Sequence, residues 1–130
     1  MEHEGLTHRI IGCAFAVHRI LGPGFLETVY RNALVCELQD CELSVDAERS
    51  RDVLYRGTRV GRFVADVVVN DTVIVEVKAV QKVIPVHEAQ LINYLTATGL
   101  DVGLLLNFGA DRLEYRRRTR TWRGKGRSAD

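Results

Sequence analysis

The stretch "TVIVEVKAV", residues 72–80, places two charged residues inside an apolar run and decides how the fold is interpreted. Branched aliphatic residues predominate in it, which is typical of a buried β-strand. Glu76 and Lys78 are two positions apart, and residues so spaced on a strand point to the same face. The strand is therefore predicted to present a carboxylate and an ammonium side by side. For an isolated E-x-K pattern, a structural ion pair on an exposed face would be the better interpretation.

A second acidic residue, Asp66, interrupts the preceding apolar strand in "RFVADVVV", residues 62–69. A two-residue turn between the strands would leave Glu76 on the opposite face from Asp66. A three-residue loop, residues 70–72, pairs Asp66 with Glu76, and the Asn and Asp in it tolerate the left-handed conformation that such loops need. We predict this register, or an equivalent bulge, which brings both carboxylates close to each other and to Lys78.

Two carboxylates at short distance repel each other, and burial increases the repulsion. A divalent cation removes that conflict. Mg²⁺ takes oxygen ligands and keeps several waters, so two carboxylates and a substrate phosphate complete its shell. A cation held in this way lowers the pKa of a bound water and polarises a phosphoryl group. With Asp66 added to Glu76 and Lys78, the sequence favours a metal site over a structural ion pair.

Periodicity outward from this stretch predicts an α/β fold. Apolar residues at three- and four-residue steps predict a helix over residues 3–21, and "GPG" (22–24) ends it. The other predicted elements are a helix from Phe25 to about Asp40 capped by Gly24, strands over 45–55, 59–69 and 73–80, a helix over 85–98, a strand over 102–108 and an edge strand over 112–118. A helix between two strands favours a parallel pair, so the sheet is predicted to be mixed.

Four further polar residues are candidates for the same site. Glu27 lies near a helix start, where the helix dipole alone would favour an acid. Gln90 and Tyr94 are four apart on the helix after the E-x-K strand, and His87 shares their face. These side chains could reach a substrate phosphate or form a solvated helix face, and the residues by themselves leave both interpretations open.

Composition agrees with one globular domain. The chain has 130 residues and 46% hydrophobic residues, and no apolar run approaches the ~20 residues of a membrane helix. The run "IIGCAFAV" (10–17) follows no basic leader and is not interpreted as a signal peptide. Three cysteines, Cys13, Cys36 and Cys41, show no metal-ligand spacing and are predicted to be reduced, buried thiols of a cytoplasmic protein.

Positive charge is concentrated at the C-terminal end. Residues 111–130 carry eight Lys and Arg against three Asp and Glu, whereas residues 1–110 carry 10 against 14. We predict a single domain over 1–118 and a basic, flexible tail over 119–130. Such a tail could attract a polyanion or be merely solvated.

The sequence resembles the GxxExxY proteins, which are placed in the PD-(D/E)xK nuclease-like superfamily. "GFLETVY" (24–30) matches the signature with Gly24, Glu27 and Tyr30. The surroundings also fit over about residues 5–118: "VHRILGPG", "YRNAL", "EVKAV", "AQLINYL" and "GLLLNFG". The resemblance implies a three-layer, restriction-endonuclease-like αβββαβ core with a central mixed β-sheet flanked by helices.

The resemblance also implies roles for individual residues. The acid of the motif falls on Asp66, without the proline before it, and E-x-K falls on residues 76–78. By analogy, Mg²⁺ or Mn²⁺ would be held by Asp66, Glu76, Glu27 and the Val77 backbone carbonyl. Lys78 would serve the attacking water. Substrate would be bound by Gln90, Tyr94, Tyr30 and His87, and Gln90 would also belong to the catalytic set.

The expected function is therefore a metal-dependent nuclease that hydrolyses phosphodiester bonds of nucleic acid, with DNA favoured, through a metal-activated water. The alternative is a non-catalytic module that keeps the nuclease fold and binds nucleic acid or a protein partner. A homodimer or a protein partner is compatible with either function. The sequence leaves open DNA against RNA and endonuclease against exonuclease.

Overall fold

The computed structural model describes residues 3–121 of the chain. The elements along it are α1 (Glu4–Leu21), α2 (Glu27–Asp40), β1 (Val45–Tyr55), β2 (Thr58–Val69), β3 (Val73–Lys78), α3 (Pro85–Thr98), β4 (Val102–Asn107) and β5 (Glu114–Thr119). The predicted order of helices and strands is confirmed, with β3 two residues shorter than predicted. Residues 122–130, most of the predicted tail, lie outside the described part. No helix within residues 3–121 is both long and apolar enough to cross a membrane.

The five strands form one mixed sheet in the order β1-β2-β3-β4-β5. β3 and β4 are parallel, and the other neighbouring pairs are antiparallel. The parallel pair is the one joined by α3, as the sequence predicts. β4 is buried along its whole length because helices cover both faces of the sheet at that position. The architecture is the predicted α/β sandwich around a mixed sheet.

Alternate residues of β3 enter two separate hydrophobic cores. Val73, Val75 and Val77 belong to the core that includes the buried sides of α1 and α2. Ile74 belongs to a smaller core on the other face, with Leu91 and Leu95 of α3. Even-numbered positions of β3 therefore point toward α3, and this is the face on which Glu76 and Lys78 lie.

Helix α2 begins at Glu27, two residues after the predicted start, and its N-cap is Leu26 rather than Gly24. Tyr30 explains the difference. Its side chain is fully buried, its hydroxyl donates to the Gly22 carbonyl at 2.5 Å, and the same oxygen accepts the Phe25 N–H at 3.1 Å. The segment between the two helices is thus fixed to the tyrosine by backbone hydrogen bonds and cannot join the helix.

A buried asparagine joins the end of β3 to the end of β4. Asn107 is fully buried, and its Oδ1 accepts from the backbone N–H groups of Val80 and Gly109 at 2.9 and 3.1 Å. Its Nδ2 donates to the Val80 carbonyl and to Glu114 Oε1 at 2.9 and 2.8 Å. All four hydrogen-bonding capacities of the side chain are used. The segment that follows Lys78 is therefore held in place.

The cysteines correct one expectation. Cys13 is buried in the α1–α2 core, but Cys36 and Cys41 are exposed. Cys36 lies on the outer side of α2 because the buried stripe of that helix consists of Tyr30, Leu34 and Leu38. All three thiols are free, as predicted, and the sulfur atoms of Cys13 and Cys41 are 3.7 Å apart.

We predict that Gly109→Ala destabilises the fold and that Gly12→Ala does not. A Cβ at position 109 would lie 2.4 Å from the Val80 carbonyl oxygen and 2.5 Å from the Ala79 carbonyl carbon. Because backbone atoms cannot yield as a side chain does, we expect a loss of about 2–3 kcal/mol in the free energy of unfolding. Urea denaturation followed by circular dichroism measures this loss.

Gly12 is the matched control for this prediction. It lies within α1, and a Cβ there meets nothing within 4 Å. Alanine in a helix interior is favoured over glycine by about 0.5–1 kcal/mol, so Gly12→Ala should raise stability slightly. Equal unfolding midpoints for the two variants would contradict the close approach at Gly109.

Candidate functional site

The register that the sequence predicts between β2 and β3 is confirmed. Val69 pairs with Val73 across the three-residue loop, and the ladder continues to the pair Val67 and Val75. Asn70 and Asp71 in the loop have φ angles of +52° each, which is the left-handed region expected of them. The next residues outward along the two strands are Asp66 and Glu76.

Past this point the two strands separate, and the Asp66 side chain accepts a hydrogen bond from β3 in place of the β2 backbone. No β2–β3 pair is formed beyond Val67 and Val75. Asp66 Oδ2 instead accepts a hydrogen bond from the backbone N–H of Val77 at 2.8 Å. Opposite Asp66 on β1, Glu48 has a φ of +59° and does not pair with β2, so both strands are irregular at this point. The carboxylate of Asp66 is thereby fixed at the edge of β3.

Glu76 is the one buried charged residue within residues 3–121, and its exposed fraction is 6%. Its Oε1 is wholly shielded from solvent and has no hydrogen-bond partner among residues 3–121. Burial, and then the negative charge of Asp66, raises the pKa of Glu76 to about 9, although the positive charge of Lys78 opposes the shift. A carboxyl group with an unsatisfied buried oxygen destabilises the fold unless something binds it.

Lys78 points to the same side of the sheet as Glu76 but does not form an ion pair with it. Its Nζ donates to Gln90 Oε1 on α3 at 3.3 Å. Among the ion pairs of the described residues, none joins Glu76 to Lys78. The structural ion pair that the E-x-K pattern alone would favour is therefore absent from this part of the chain.

Tyr94 closes the site from the side of α3. Its ring stacks on Phe63 of β2, with 4.3 Å between ring centroids and 7° between planes. Burial raises the pKa of the Tyr94 hydroxyl, and the negative charges of Glu76 and Asp66 add to the effect. The hydroxyl is thus close enough to both carboxylates to sense their charge. The structure brings together Asp66, Glu76, Lys78, Gln90 and Tyr94.

Three other candidates from the sequence have different surroundings. Glu27 is exposed on α2, and no three Asp, Glu, His or Cys side chains within residues 3–121 converge as a metal-binding cluster. Tyr30 is fully buried and stacks on Phe108, so it has a structural role and no surface for a substrate. His87 Nδ1 accepts the Ile84 N–H at 3.1 Å and so caps the start of α3.

The two carboxylates fit a divalent cation. The unsatisfied Glu76 Oε1 and the neighbouring Asp66 carboxylate are the oxygen donors that such ions prefer. A cation there would replace the proton that the raised pKa of Glu76 holds on this group, and it would compensate the repulsion that arises when both acids are ionised. Waters and a phosphate oxygen are needed to complete the coordination.

Two residues that support the site were not singled out from the sequence. Phe63 carries the Tyr94 ring, and Asn107 holds the segment after Lys78. A sequence signal existed for Asn107, because an amide at the end of the apolar run "VGLLLNF" needs buried partners. Phe63 carried no such signal, because an aromatic residue in an apolar strand is usual.

Comparisons with known proteins agree with this fold. The family model described as "PD-(D/E)XK nuclease superfamily" matches residues 4–119. The crystal structure of SSO0001 is similar in fold, with a TM-score of 0.57 and 18% identity over 71% of this chain. The chain spans 48%, about half, of the length of SSO0001. No curated protein matches this sequence.

We predict that the metal-free protein loses stability as pH rises and that Glu76→Gln removes this loss. The pKa of Glu76 is about 9 in the folded chain and near its ordinary value of 4.5 in the unfolded chain. Between these values the folded state holds a proton that the unfolded state has released, so the free energy of unfolding falls with rising pH. Glutamine keeps the shape without the buried charge.

Thermal unfolding in EDTA at pH 6 and pH 8 measures the effect. The Glu76→Gln protein should unfold at a higher temperature than the parent, with the larger difference at pH 8. Mg²⁺ should then stabilise the parent and not the variant. Glu27→Gln, at an exposed position, is the matched control and should behave as the parent. A difference that does not grow with pH would contradict the buried, protonated state of Glu76.

Proposed function

Because the chain belongs to the PD-(D/E)XK nuclease superfamily, we propose that it is a metal-dependent nuclease whose site consists of Asp66, Glu76 and Lys78. The observation that carries the proposal is the buried, unpartnered Oε1 of Glu76 beside a second carboxylate. A purely structural domain gains nothing from this arrangement, since a buried carboxyl oxygen without a partner lowers stability. Membership of the superfamily supports a nucleic-acid substrate and a divalent metal cofactor, Mg²⁺ or Mn²⁺.

Asp66 and Glu76 are the residues that would hold the cation. The N–H of Val77 points toward Asp66, and in a strand the carbonyl of a residue points to the same neighbour as its N–H. The Val77 carbonyl is therefore on the correct side to act as a third oxygen ligand, as the resemblance implies. Glu27 is not part of this proposal. A cation bound here supplies a water of lowered pKa and charge for the phosphoryl oxygens.

Lys78 would act on the water or on the phosphate. Its ammonium lies at the end of β3, partly exposed, and Gln90 accepts one of its three hydrogens. The remaining hydrogens are available to orient an attacking water or to stabilise negative charge on the phosphoryl oxygens. Gln90 thereby positions Lys78 and, with its amide nitrogen, has a donor for a substrate phosphate.

Tyr94 would border the substrate and limit access of water to the carboxylates. The raised pKa of its hydroxyl keeps the group protonated near neutral pH, so it can donate a hydrogen bond to a phosphate oxygen. The stack on Phe63 holds the ring in one orientation. His87, which caps α3 through Nδ1, would influence the site through the helix that carries Gln90 and Tyr94.

We predict that the purified protein cleaves labelled DNA in Mg²⁺ or Mn²⁺ and not in EDTA. Asp66→Ala should lose cleavage because both the carboxylate and the anchor for the Val77 N–H are removed. Lys78→Ala should slow cleavage by about 10²–10⁴, the usual range for a group that transfers a proton or stabilises charge in the transition state. Single- and double-stranded DNA and RNA, tested in parallel, identify the substrate class.

Lys82→Ala provides the matched control for Lys78→Ala. Lys82 is an exposed lysine four residues further along the chain, and its loss should leave the cleavage rate unchanged. Cleavage that persists in EDTA, or in both Asp66→Ala and Lys78→Ala, would contradict the assignment. Retained binding of nucleic acid without any turnover would favour the non-catalytic module instead.

A further inference from the structure

The hairpin formed by β1 and β2 extends well beyond the rest of the sheet. β1 and β2 have 11 and 12 residues, whereas β3, β4 and β5 have six each. β2 pairs with β3 only from Val67 to Val69. Residues 51–62, called the arm below, pair with one another and with the adjacent Phe63 across the hairpin, and residues 51–60 are all exposed.

The arm exposes apolar side chains that no other part of the described chain covers. Leu54, Tyr55 and Val60 have exposed fractions of 62%, 60% and 60%. A two-stranded ribbon on its own is marginally stable in water, and this one carries large apolar side chains that are mostly exposed. Contact with another molecule would cover these side chains and stabilise the arm.

The charges of the arm favour a polyanion. The arm contains four arginines, at positions 51, 56, 59 and 62, and one acid, Asp52. Asp52 pairs with Arg59 at 2.9 Å. Arg56 lies over the Tyr55 ring, with its guanidinium carbon 5.3 Å from the ring centroid. Residues 1–110 as a whole carry more acids than bases, so the arm is a local positive feature on a negative background.

A contact between two copies of the arm fits these charges less well. In a twofold symmetric contact the same surface of each copy faces the other. The arginines of the two arms would then lie close together, and like charges destabilise a contact. A phosphate backbone, in contrast, pairs with the arginines.

The major groove of duplex DNA has room for a two-stranded ribbon such as the arm. Four residue steps separate the Arg51 and Phe63 pair from the Tyr55 and Thr58 pair, which is about 14 Å of strand. The major groove of B-DNA is about 12 Å wide and 8.5 Å deep and admits a two-stranded β-ribbon. The major groove of duplex RNA is too narrow for side chains to read.

We propose that the arm is a recognition ribbon for double-stranded DNA, with its arginines on the phosphates and its exposed apolar side chains in the major groove. Apolar side chains in that groove contact the methyl group of thymine. The arm continues directly into the site, because Phe63 and Asp66 follow it on β2. A cleft of about 380 Å³, lined in part by Arg51, Phe63 and Ala65, lies at the base of the arm. This inference deepens the proposed nuclease function by naming its substrate class.

The test measures binding of a fluorescent 20-base-pair DNA duplex in EDTA, where no cleavage takes place. The arm variant combines Arg56→Ala with Arg62→Ala and leaves the ion pair of Arg59 in place. We expect its Kd to rise about tenfold or more, and the slope of log Kd against log salt concentration to fall by about 2, since each lost phosphate contact removes about 0.9. The lysine version of the same two positions keeps the charge and should retain most of the affinity.

The matched control combines Arg19→Ala with Lys82→Ala, which removes two exposed positive charges elsewhere. Arm and control variants with equal affinity would overturn the proposal, and so would equally tight binding of duplex RNA. A parent dimer that the arm variant converts to monomers, with DNA affinity unchanged, would assign the arm to self-association instead.

The failure of this inference is separable from the failure of the proposed function. Cleavage of bis(p-nitrophenyl) phosphate by the parent protein in Mn²⁺ tests the chemistry of the site with a diester too small to reach the arm. Arm-dependent DNA binding without this cleavage would support the recognition ribbon and contradict the proposed nuclease activity. Cleavage without arm-dependent binding would support the nuclease activity and contradict the recognition ribbon.

Discussion

The hydrogen bond from the Val77 N–H to the Asp66 carboxylate links the fold to the site. β2 and β3 part after Val67 and Val75, and a strand that loses its neighbour leaves N–H groups without acceptors. Asp66 satisfies one of them, and a hydrogen bond to a charged acceptor contributes about 1.5–3 kcal/mol. The same bond fixes the carboxylate next to Glu76. The place where the sheet stops being regular is therefore the place where two acids are held together.

The energetic consequence is that the site lowers the stability of the fold. Glu76 is buried with an unsatisfied oxygen, and its pKa is raised to about 9 because the charged form is disfavoured. The surrounding structure must offset this cost, and it does so with a hydrophobic core on each face of the sheet and with Asn107 joining the strand ends. Local destabilisation that the rest of the chain tolerates is characteristic of functional sites.

Much of this arrangement follows from the sequence because two-residue alternation and loop chemistry are local properties. The left-handed Asn70 and Asp71 determine the loop length, the loop length determines the register, and the register places Asp66 beside Glu76. Each step depends on residues within about ten positions of one another. The same is true of Gln90 and Tyr94, whose helical spacing put them on one face.

What sequence reasoning missed depends on contacts between distant segments. Glu27 and Tyr30 belong to the quoted motif, but the periodicity of a helix does not predict where that helix packs on a sheet. Among the described residues, Glu27 forms no metal-binding cluster with the two acids of the site. The start of α2 depends on the Tyr30 hydroxyl reaching back to Gly22. Cys36 was misplaced because a helix with three buried residues has a narrow buried stripe.

The arm and the site share β2, and this connection would position a bound duplex relative to the site. Arg62 and Asp66 are four residues apart, about 13 Å along a strand, so a duplex seated on the arm would present its backbone near the carboxylates. Orientation of reactants in this way contributes strongly to catalysis only if the connecting element is rigid. The Phe63 and Tyr94 stack and the Arg51 hydrogen bond to the Thr98 carbonyl at 3.3 Å tie the base of the arm to α3. The helix that supplies Gln90 and Tyr94 thus also supports the ribbon, so that a substrate held by the arm would be held in register with the groups that act on it.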